Sequence, residues 1–515
     1  MKKLIYLSII GFLCYATSLV ATAETNALAD KSRPNIVFFI SDDMSQEDFG
    51  CYGNPVIQTA HIDALANQGI RFDNAYLTTS SCSPSRCSII TGRYPHNTGA
   101  PELHSQLPDT QIRFPELLRQ AGYYTVLSGK NHMFDDFEDR AFDAMTSGGG
   151  ASGSEDWLGL VRNRPKDKPF FFFFASYDGH RSWHIDDKAP IYDPDDIIVP
   201  PYLVDTPAVR EDLAKYYHEV SRYDYYIGQI TEELKRQGVL DNTLIVVATD
   251  NGRPFPRDKT YLYDSGIKTP WVVHYPAMIK TPAVTGSLIS VIDLSATCLE
   301  LAGVNIPASI QGQSFVPILK DPSATTRDVV FAEHNWHVYQ SHERMVRFGD
   351  YLYIKNNYPH IPNLGHESDQ SYVSGKELWS AHVAGETLPH QQQIFANPCP
   401  AEQLFQMSRD PYQLRNLANH PAYASSLHHA RQLLAQWTEQ TGDTIPKNPT
   451  PDRRDPPRIV DGKIIPMSAK HGAQNPHAEF PGTAKMAAKI NHPGPIRLSP
   501  MSDPSKDGGA PPDSS

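Results

Sequence analysis

An α/β fold is what this 515-residue sequence predicts, on three observations. Short, uniformly apolar runs recur along the chain. Helical patterns separate them, and charged or polar groups follow four of the runs at once. Runs at residues 35–40, 124–127, 169–175, 244–248 and 271–274 are too continuously apolar for half-exposed strands, and read as buried strands of a parallel sheet. Patterns at 62–68, 114–121 and 213–237 have helical spacing and supply the crossovers that parallel strands require.

The first run leads into Asp42 and Asp43, the second into Lys130 and His132. The third leads into Asp178-Gly179-His180 and the fourth into Asp250-Asn251. Acids and glycines are ordinary turn residues. Four strands handing such groups to one edge of one sheet is a stronger pattern, because ligands of open α/β sheets bind beyond the carboxyl ends of the strands. The pattern changes near residue 327. Segments 329–332, 344–348 and 351–354 read as short strands of a small antiparallel sheet, and 424–441 as an amphipathic helix closing it. The expected organisation is a large domain at 34–326, an α+β subdomain at 327–443, and a tail at 444–515. The tail holds 14 of the 43 prolines without a sustained apolar period, so it is expected to be extended or disordered, with wrapping along the body as the alternative.

Lys2 and Lys3 precede an apolar run from Leu4 to Val20, and Ala21-Thr22-Ala23 then offers a small-residue cleavage site. This is the layout of a signal peptide over residues 1–23, with a retained membrane anchor as the alternative. Bulky Phe12 and Leu13 argue against lipidation of Cys14. No other stretch has the roughly 20 apolar residues that span a bilayer, so a soluble periplasmic or secreted protein is expected. Lysines and arginines number 46 against 58 acids, a net charge of −12, which argues against a nucleic-acid partner. Of six cysteines, Cys14 leaves with the signal. The odd remainder of Cys51, Cys82, Cys87, Cys298 and Cys399 suggests a thiol with a purpose other than pairing.

That thiol lies in Cys82-Ser83-Pro84-Ser85-Arg86, followed after four residues by Thr91-Gly92-Arg93. The segment resembles the C-x-P-S-R-x4-T-G signature of the type I sulfatases, and the resemblance extends from Pro34 to about Asp443. It implies an alkaline-phosphatase-like fold, a large mixed sheet flanked by helices with a smaller C-terminal antiparallel-sheet subdomain. It also implies conversion of Cys82 to Cα-formylglycine (3-oxoalanine) by a formylglycine-generating maturase. The hydrated aldehyde is a geminal diol. One hydroxyl attacks sulfur, and the other later loses its proton so that sulfate leaves by carbon–oxygen cleavage. A nucleophile at a helix start gains backbone donors and a favourable dipole for an anion, and Arg86 about one turn on stays charged beside it.

The family's metal positions carry over onto Asp42, Asp43, Cys82 as formylglycine, Asp250 and Asn251. Oxygen donors of this kind favour Ca²⁺ or Mg²⁺ over Zn²⁺, and the resemblance implies one Ca²⁺. Gly129-Lys130-Asn131-His132 is similar to the family's G-K-x-H element, with Asn131 where Trp is usual. Lys130 would hold a sulfate oxygen and His132 would accept the second hydroxyl's proton. His180 in Y-D-G-H and Lys259 align with residues contacting the sulfate and ester oxygens, with His180 the expected proton donor to the leaving group. The common Glu-Gly-Gly after that lysine stands here as Asp264-Ser265-Gly266.

The stretch around the cysteine, G-R-Y-P-H-N-T-G and E-L-H resembles carbohydrate sulfatases, including heparan N-sulfatase-like members. His104, Arg181, Trp183, His184, His334 and His337 (with Asn335 and Trp336) suit a sulfated acidic sugar through ring stacking and charge-assisted hydrogen bonds. Loop and interdomain packing is the other reading of the same residues. The expected function is a polysaccharide-degrading hydrolase acting on carbohydrate sulfate esters. Alternatives are a sulfamidase for N-sulfoglucosamine, a phosphoester or phosphonate hydrolase of the same superfamily, and a sulfated-glycan binding protein without turnover.

Overall fold

The computed structural model describes residues 33–469 and 478–482. The signal-peptide reading, Cys14 and the rest of the tail lie outside them. Strand β1 (Asn35–Ser41) runs through the middle of an eight-stranded sheet and is buried along its whole length. The others are β2 (Ile70–Tyr76), β3 (Tyr124–Gly129), β4 (Ala144–Thr146), β5 (Phe170–Ala175), β6 (Thr243–Thr249), β7 (Val272–His274) and β8 (Ala283–Ser290). Their order across the sheet is β4–β3–β5–β1–β6–β7–β2–β8.

The side-chain period of two explains why the central strands are apolar throughout. Ile36, Phe38, Ile40, Phe171 and Phe173 enter the core on one face, while Val37, Phe39, Phe170, Phe172 and Phe174 enter the core on the other. Helix Pro207–Arg236 covers the second face. Helix Cys82–Thr91 packs into the first through Cys87, Ile89 and Ile90.

β1, β3, β4, β5 and β6 are mutually parallel. β7 is antiparallel to both β6 and β2, so the expectation of a parallel strand at 271–274 is corrected. The connection between β6 and β7 carries only the one-turn helix Asp264–Ile267 and brings the chain back beside β6 in the opposite direction. The large sheet is therefore mixed. β2 and β8 carry polar residues along their length and gave no apolar run to find.

A second sheet, ordered β12–β11–β10–β9, is wholly antiparallel. It consists of β9 (Val329–His334), β10 (Glu343–Phe348), β11 (Tyr351–Asn356) and β12 (Glu402–Gln406). Helix Ala424–Thr441 lies over it through Leu427, Ala430, Leu433, Leu434 and Trp437, with Trp437 stacked on Phe331 at 5.2 Å. Between the sheets, Arg327 clamps Asp293 with three buried hydrogen bonds of 2.6 to 3.0 Å. Beyond 443 the chain runs along the body in short paired segments, as at Arg458–Val460 with Lys463–Ile465. Among the described residues, no helix is long and apolar enough to cross a membrane, and all five cysteines are unpaired.

Arg327→Ala is expected to destabilise the fold by about 3–5 kcal/mol, because it strands the Asp293 carboxylate in the interior. Arg327→Ala with Asp293→Ala should recover part of that loss. Urea unfolding of the wild type, both single variants and the double variant checks this, and simple additivity would contradict the clamp.

Candidate active site

The register of the parallel strands sets the site. Ile40 lies level with Ala175 and Ala248, and Gly129 with Ala175, so β1, β3, β5 and β6 end together. The residues that follow, Asp42-Asp43, Lys130, Asp178 and Asp250-Asn251, are delivered to one edge and are all buried. Gly129 makes the turn after β3 with φ +102°, and a Cβ there would collide with the Ala175 carbonyl. Only glycine accepts that conformation at no cost, and it aims Lys130 back across the sheet edge.

Helix Cys82–Thr91 enters this edge from the side, and its motif residues have structural reasons to be there. Ser81 precedes the helix, and its carbonyl accepts the Ser85 amide at 2.9 Å. Pro84 sits in the first turn, where a missing N–H costs nothing. Thr91 donates to the Cys87 carbonyl at 2.7 Å, and Gly92 ends the helix in the left-handed conformation at φ +66°. Cys82 and Arg86, four residues apart, share a helix face. Cys82 Sγ lies 3.8 Å from Asp43 Oδ1, and Arg86 Nε donates to Asp250 Oδ2 at 2.7 Å. A second guanidinium nitrogen of Arg86 donates to the Lys130 carbonyl at 2.9 Å.

Three carboxylates and three cations thus interlock. Lys259 Nζ donates to both oxygens of Asp43 at 2.7 Å, and Lys130 Nζ to Asp42 Oδ2. Burial opposes ionisation of Asp43, but Lys259, His180 and Lys130 outweigh it and hold the carboxyl down at about 2. Burial also works against both lysine charges, while Asp42 for Lys130 and Asp43 for Lys259 hold those ammonium groups charged. The Cys82 thiol is pushed up by burial, with Lys130 and Lys259 pulling only partly the other way.

Asp42, Asp43 and Cys82 converge closely enough to share one ion. Asn251 Nδ2 donates to Asp43 Oδ1 at 2.6 Å, leaving Asn251 Oδ1 and Asp42 Oδ1 buried without a hydrogen-bond partner among the described residues. Orphaned buried oxygens are rare. A donor set of carboxylate and amide oxygens fits a hard divalent cation.

The histidines fall into two groups. His132 Nε2 lies 2.8 Å from His104 Nδ1, and burial followed by Lys130 and His104 drives its proton affinity far down, so its ring is neutral. His180 is exposed and near enough to lower the Asp43 carboxyl, and its Nδ1 faces the Arg181 carbonyl at 2.5 Å. His337 Nδ1 meets Ser81 Oγ at 2.8 Å, directly under the start of the cysteine helix. The remaining sugar-site candidates are held elsewhere. Arg181 is bidentate to Asp212 at 2.8 and 2.6 Å, and Trp183 Nε1 donates to the same carboxylate at 2.7 Å. His184 is exposed with its amide on Glu219, and His334 is buried against Ser341 and Glu343.

Two supports escaped the sequence reading. Asp178 after β5 is clamped by Arg222, and Glu219 takes the Gly179 and His184 amides at 3.0 and 2.7 Å, which fixes the loop carrying His180. Charged residues on the buried face of a long helix were the available signal. Glu367 is buried with one carboxylate oxygen unpartnered among the described residues. Burial raises its carboxyl, and Lys259 opposes the rise. It comes from an irregular loop that carries no periodicity. Asp43, His104, His132 and Thr260 all have φ between +46° and +71°, a concentration of left-handed backbone that marks a functional site.

The sequence model of the sulfatase family matches residues 34–153 and 151–304. The chain belongs to the sulfatase family. This sulfatase is a sulfuric ester hydrolase, and a second family model, the C-terminal region of N-sulphoglucosamine sulphohydrolase, matches residues 255–356. The human N-sulphoglucosamine sulphohydrolase is 32% identical over 469 residues, covering 80% of this chain and 91% of that protein. An ulvan-active sulfatase of Formosa agariphila is 28% identical over 504 residues, covering 86% and 82%. Among solved structures, one described in complex with its substrate D-glucosamine-2-N,6-O-disulfate aligns with TM-score 0.60 at 21% identity, over 79% of this chain and 98% of the other. The phosphonate monoester hydrolase of Agrobacterium radiobacter shares the fold at TM-score 0.58 and 16% identity, over 78% and 95%.

Gly129→Ala should lower sulfatase turnover about 100-fold, since it displaces Lys130 at the sheet edge while substituting no charged residue. Steady-state rates with circular dichroism as a folding control check this. Undiminished turnover would mean that the glycine does not position the lysine.

Proposed function

We propose that this protein hydrolyses sulfate monoesters on a carbohydrate and releases inorganic sulfate, with Cys82 matured to Cα-formylglycine as nucleophile. The observation that carries the reading is the placement of position 82. It opens a buried helix, faces Asp43, and is flanked by two lysines that are held charged. Sulfate placed there meets helix-terminal amides and cations together, the arrangement that stabilises anions and the charge that develops as an ester bond breaks. The hydrated aldehyde supplies a strong nucleophile with a built-in release step.

The chain's own groups have distinct tasks. Lys130 and Lys259 bind sulfate oxygens, and Arg86 keeps the helix face locked to Asp250. His132, neutral at working pH, is placed to take the diol proton, with His104 orienting its ring. His180, exposed at the rim, is the group to protonate the leaving oxygen. Asp42, Asp43, position 82, Asp250 and Asn251 would hold Ca²⁺, which when bound polarises the oxygens it touches. Maturation requires a formylglycine-generating enzyme, and the residue pattern at 1–23 supports export to the periplasm or beyond.

The names of the relatives support a saccharide substrate. A sulfamate is the second reading, favoured by the match of residues 255–356 to the N-sulphoglucosamine sulphohydrolase region and by the human relative. Release of sulfate from O-sulfated and N-sulfated glucosamine, and of phosphate from phosphorylated glucosamine, decides among the substrates. A dominant phosphatase rate would overturn the sulfatase reading. In protein from a host with the maturase, the Cys82 peptide should be about 18 Da lighter than the cysteine form. Cys82→Ala should abolish turnover, and intact cysteine in active protein would sink the nucleophile assignment. Calcium added to chelator-treated protein at a hundredfold excess over Kd should stabilise it by about 2.7 kcal/mol. Asn251→Ala should lose most of that gain, and the absence of any gain in the wild type would refute the metal assignment.

A further inference from the structure

The chain beyond the second sheet does not leave the site alone. Residues 450–454 cross its rim as a strap tied down at consecutive positions. Thr450 donates to Glu102 at 2.6 Å, and the Trp336 indole to the Pro451 carbonyl at 2.9 Å. Asp452 accepts the Gln340 amide at 2.6 Å, and the Arg453 amide donates to the Val338 carbonyl at 2.8 Å. Arg454 reaches Ser371 at 2.9 Å. The segments under the strap are those that meet the nucleophile's helix. The Leu103 amide donates to Trp336, the His104 amide to Ser83 Oγ, and His337 faces Ser81.

Arg453 differs from the other cations here. Arg86, Lys130 and Lys259 are buried and committed to Asp250, Asp42 and Asp43. The Arg453 side chain is exposed and makes no hydrogen bond or ion pair among the described residues. It is nonetheless close to the site. His104, already depressed by burial, is lowered further by Arg453 ahead of Lys130 and Lys259.

We propose that Arg453 binds a second anionic group of the substrate, a carboxylate or an additional sulfate next to the one being cleaved. The inference rests on the saccharide-sulfatase reading and adds to it that the preferred substrate is a polyanion. An uncommitted guanidinium, with its backbone pinned and its fork of donors in solvent, suits an oxyanion. In a chain of net charge −12, such a cation at the rim must supply locally the attraction that the whole molecule lacks.

The test compares kcat/KM for glucosamine 6-O-sulfate with two doubly anionic partners, glucosamine 2-N,6-O-disulfate and a uronate-linked disaccharide bearing the same single sulfate. The wild type should prefer at least one of the pair, and which one identifies the second group. Arg453→Ala should cut that preference about tenfold through KM, Arg453→Lys should keep part of it, and added salt should erode it. Arg453→Gln replaces the alanine variant if that one unfolds early. A wild-type preference near one, or a preference unchanged in Arg453→Ala, overturns the proposal. If the wild type releases sulfate from none of these sugars, the enzymatic reading fails separately. Calorimetric titration of the disulfated sugar then decides on Arg453, and equal Kd in wild type and Arg453→Ala would refute it.

Discussion

Everything at this site is arranged around the cost of burying three carboxylates at one sheet edge. Asp42, Asp43 and Asp250 are removed from water, and such groups ionise only when cations and donors replace their hydration. Lys130, Lys259 and Arg86 do so one to one, as judged by contact. Each cation comes from a different part of the chain, after β3, after β6 and from the helix that begins with Cys82. The electrostatic requirement therefore also dictates the topology. Three separate connections must return to the same edge, and the common level at which β1, β3, β5 and β6 stop is what lets them meet.

The balance has a chemical consequence on the proposed reading. Three negative and three positive side chains sum to zero, so a divalent cation would leave the array two charges positive. That complements the sulfate dianion released at the end of the reaction. The lysines lie on the carboxylates and beside position 82 together, so they are shared between ligand and protein. Groups already held charged, in a site that excludes water, need no reorganisation when an anion arrives. The left-handed residues serve the same end. Asp43, His104, His132 and Thr260 each carry backbone strain of about 1–3 kcal/mol. Only a scaffold with two large apolar cores flanking the sheet can hold them there.

How much of this was legible in the sequence follows from where each group sits. β1, β5 and β6 stood out because both faces are buried, which removes polar residues from the run. β2, with the sequence IRFDNAY, and β12, with EQLFQ, lack that signature. The long helix begins six residues before its apolar pattern does. Thr206 caps it by accepting the Val209 amide at 3.3 Å and Pro207 follows, so the start was written in capping residues and not in periodicity. Site residues just after strands were readable, because strand ends predict position. Arg181 and Trp183 had the right types in the right neighbourhood, yet both are tied to Asp212 on the long helix, a pairing across 29 to 31 residues that no local pattern encodes.

Arg453 was unreadable for a further reason. Its segment is proline-rich, and composition of that kind speaks for extended chain without saying what the chain lies against. The anchors are single hydrogen bonds to Glu102, Trp336, Val338, Gln340 and Ser371, residues chosen by tertiary proximity and lying 83 or more positions from their strap partners. An extended segment suits a rim. Its backbone groups at Pro451 and Arg453 are free to be pinned to neighbouring segments, which leaves the Arg453 side chain for ligand, whereas a helix has its amides internally satisfied. On the proposed reading, the buried machinery recognises the sulfate. Discrimination among sugars would then fall to parts that can change without disturbing three buried ion pairs, and the strap is proposed as one of them.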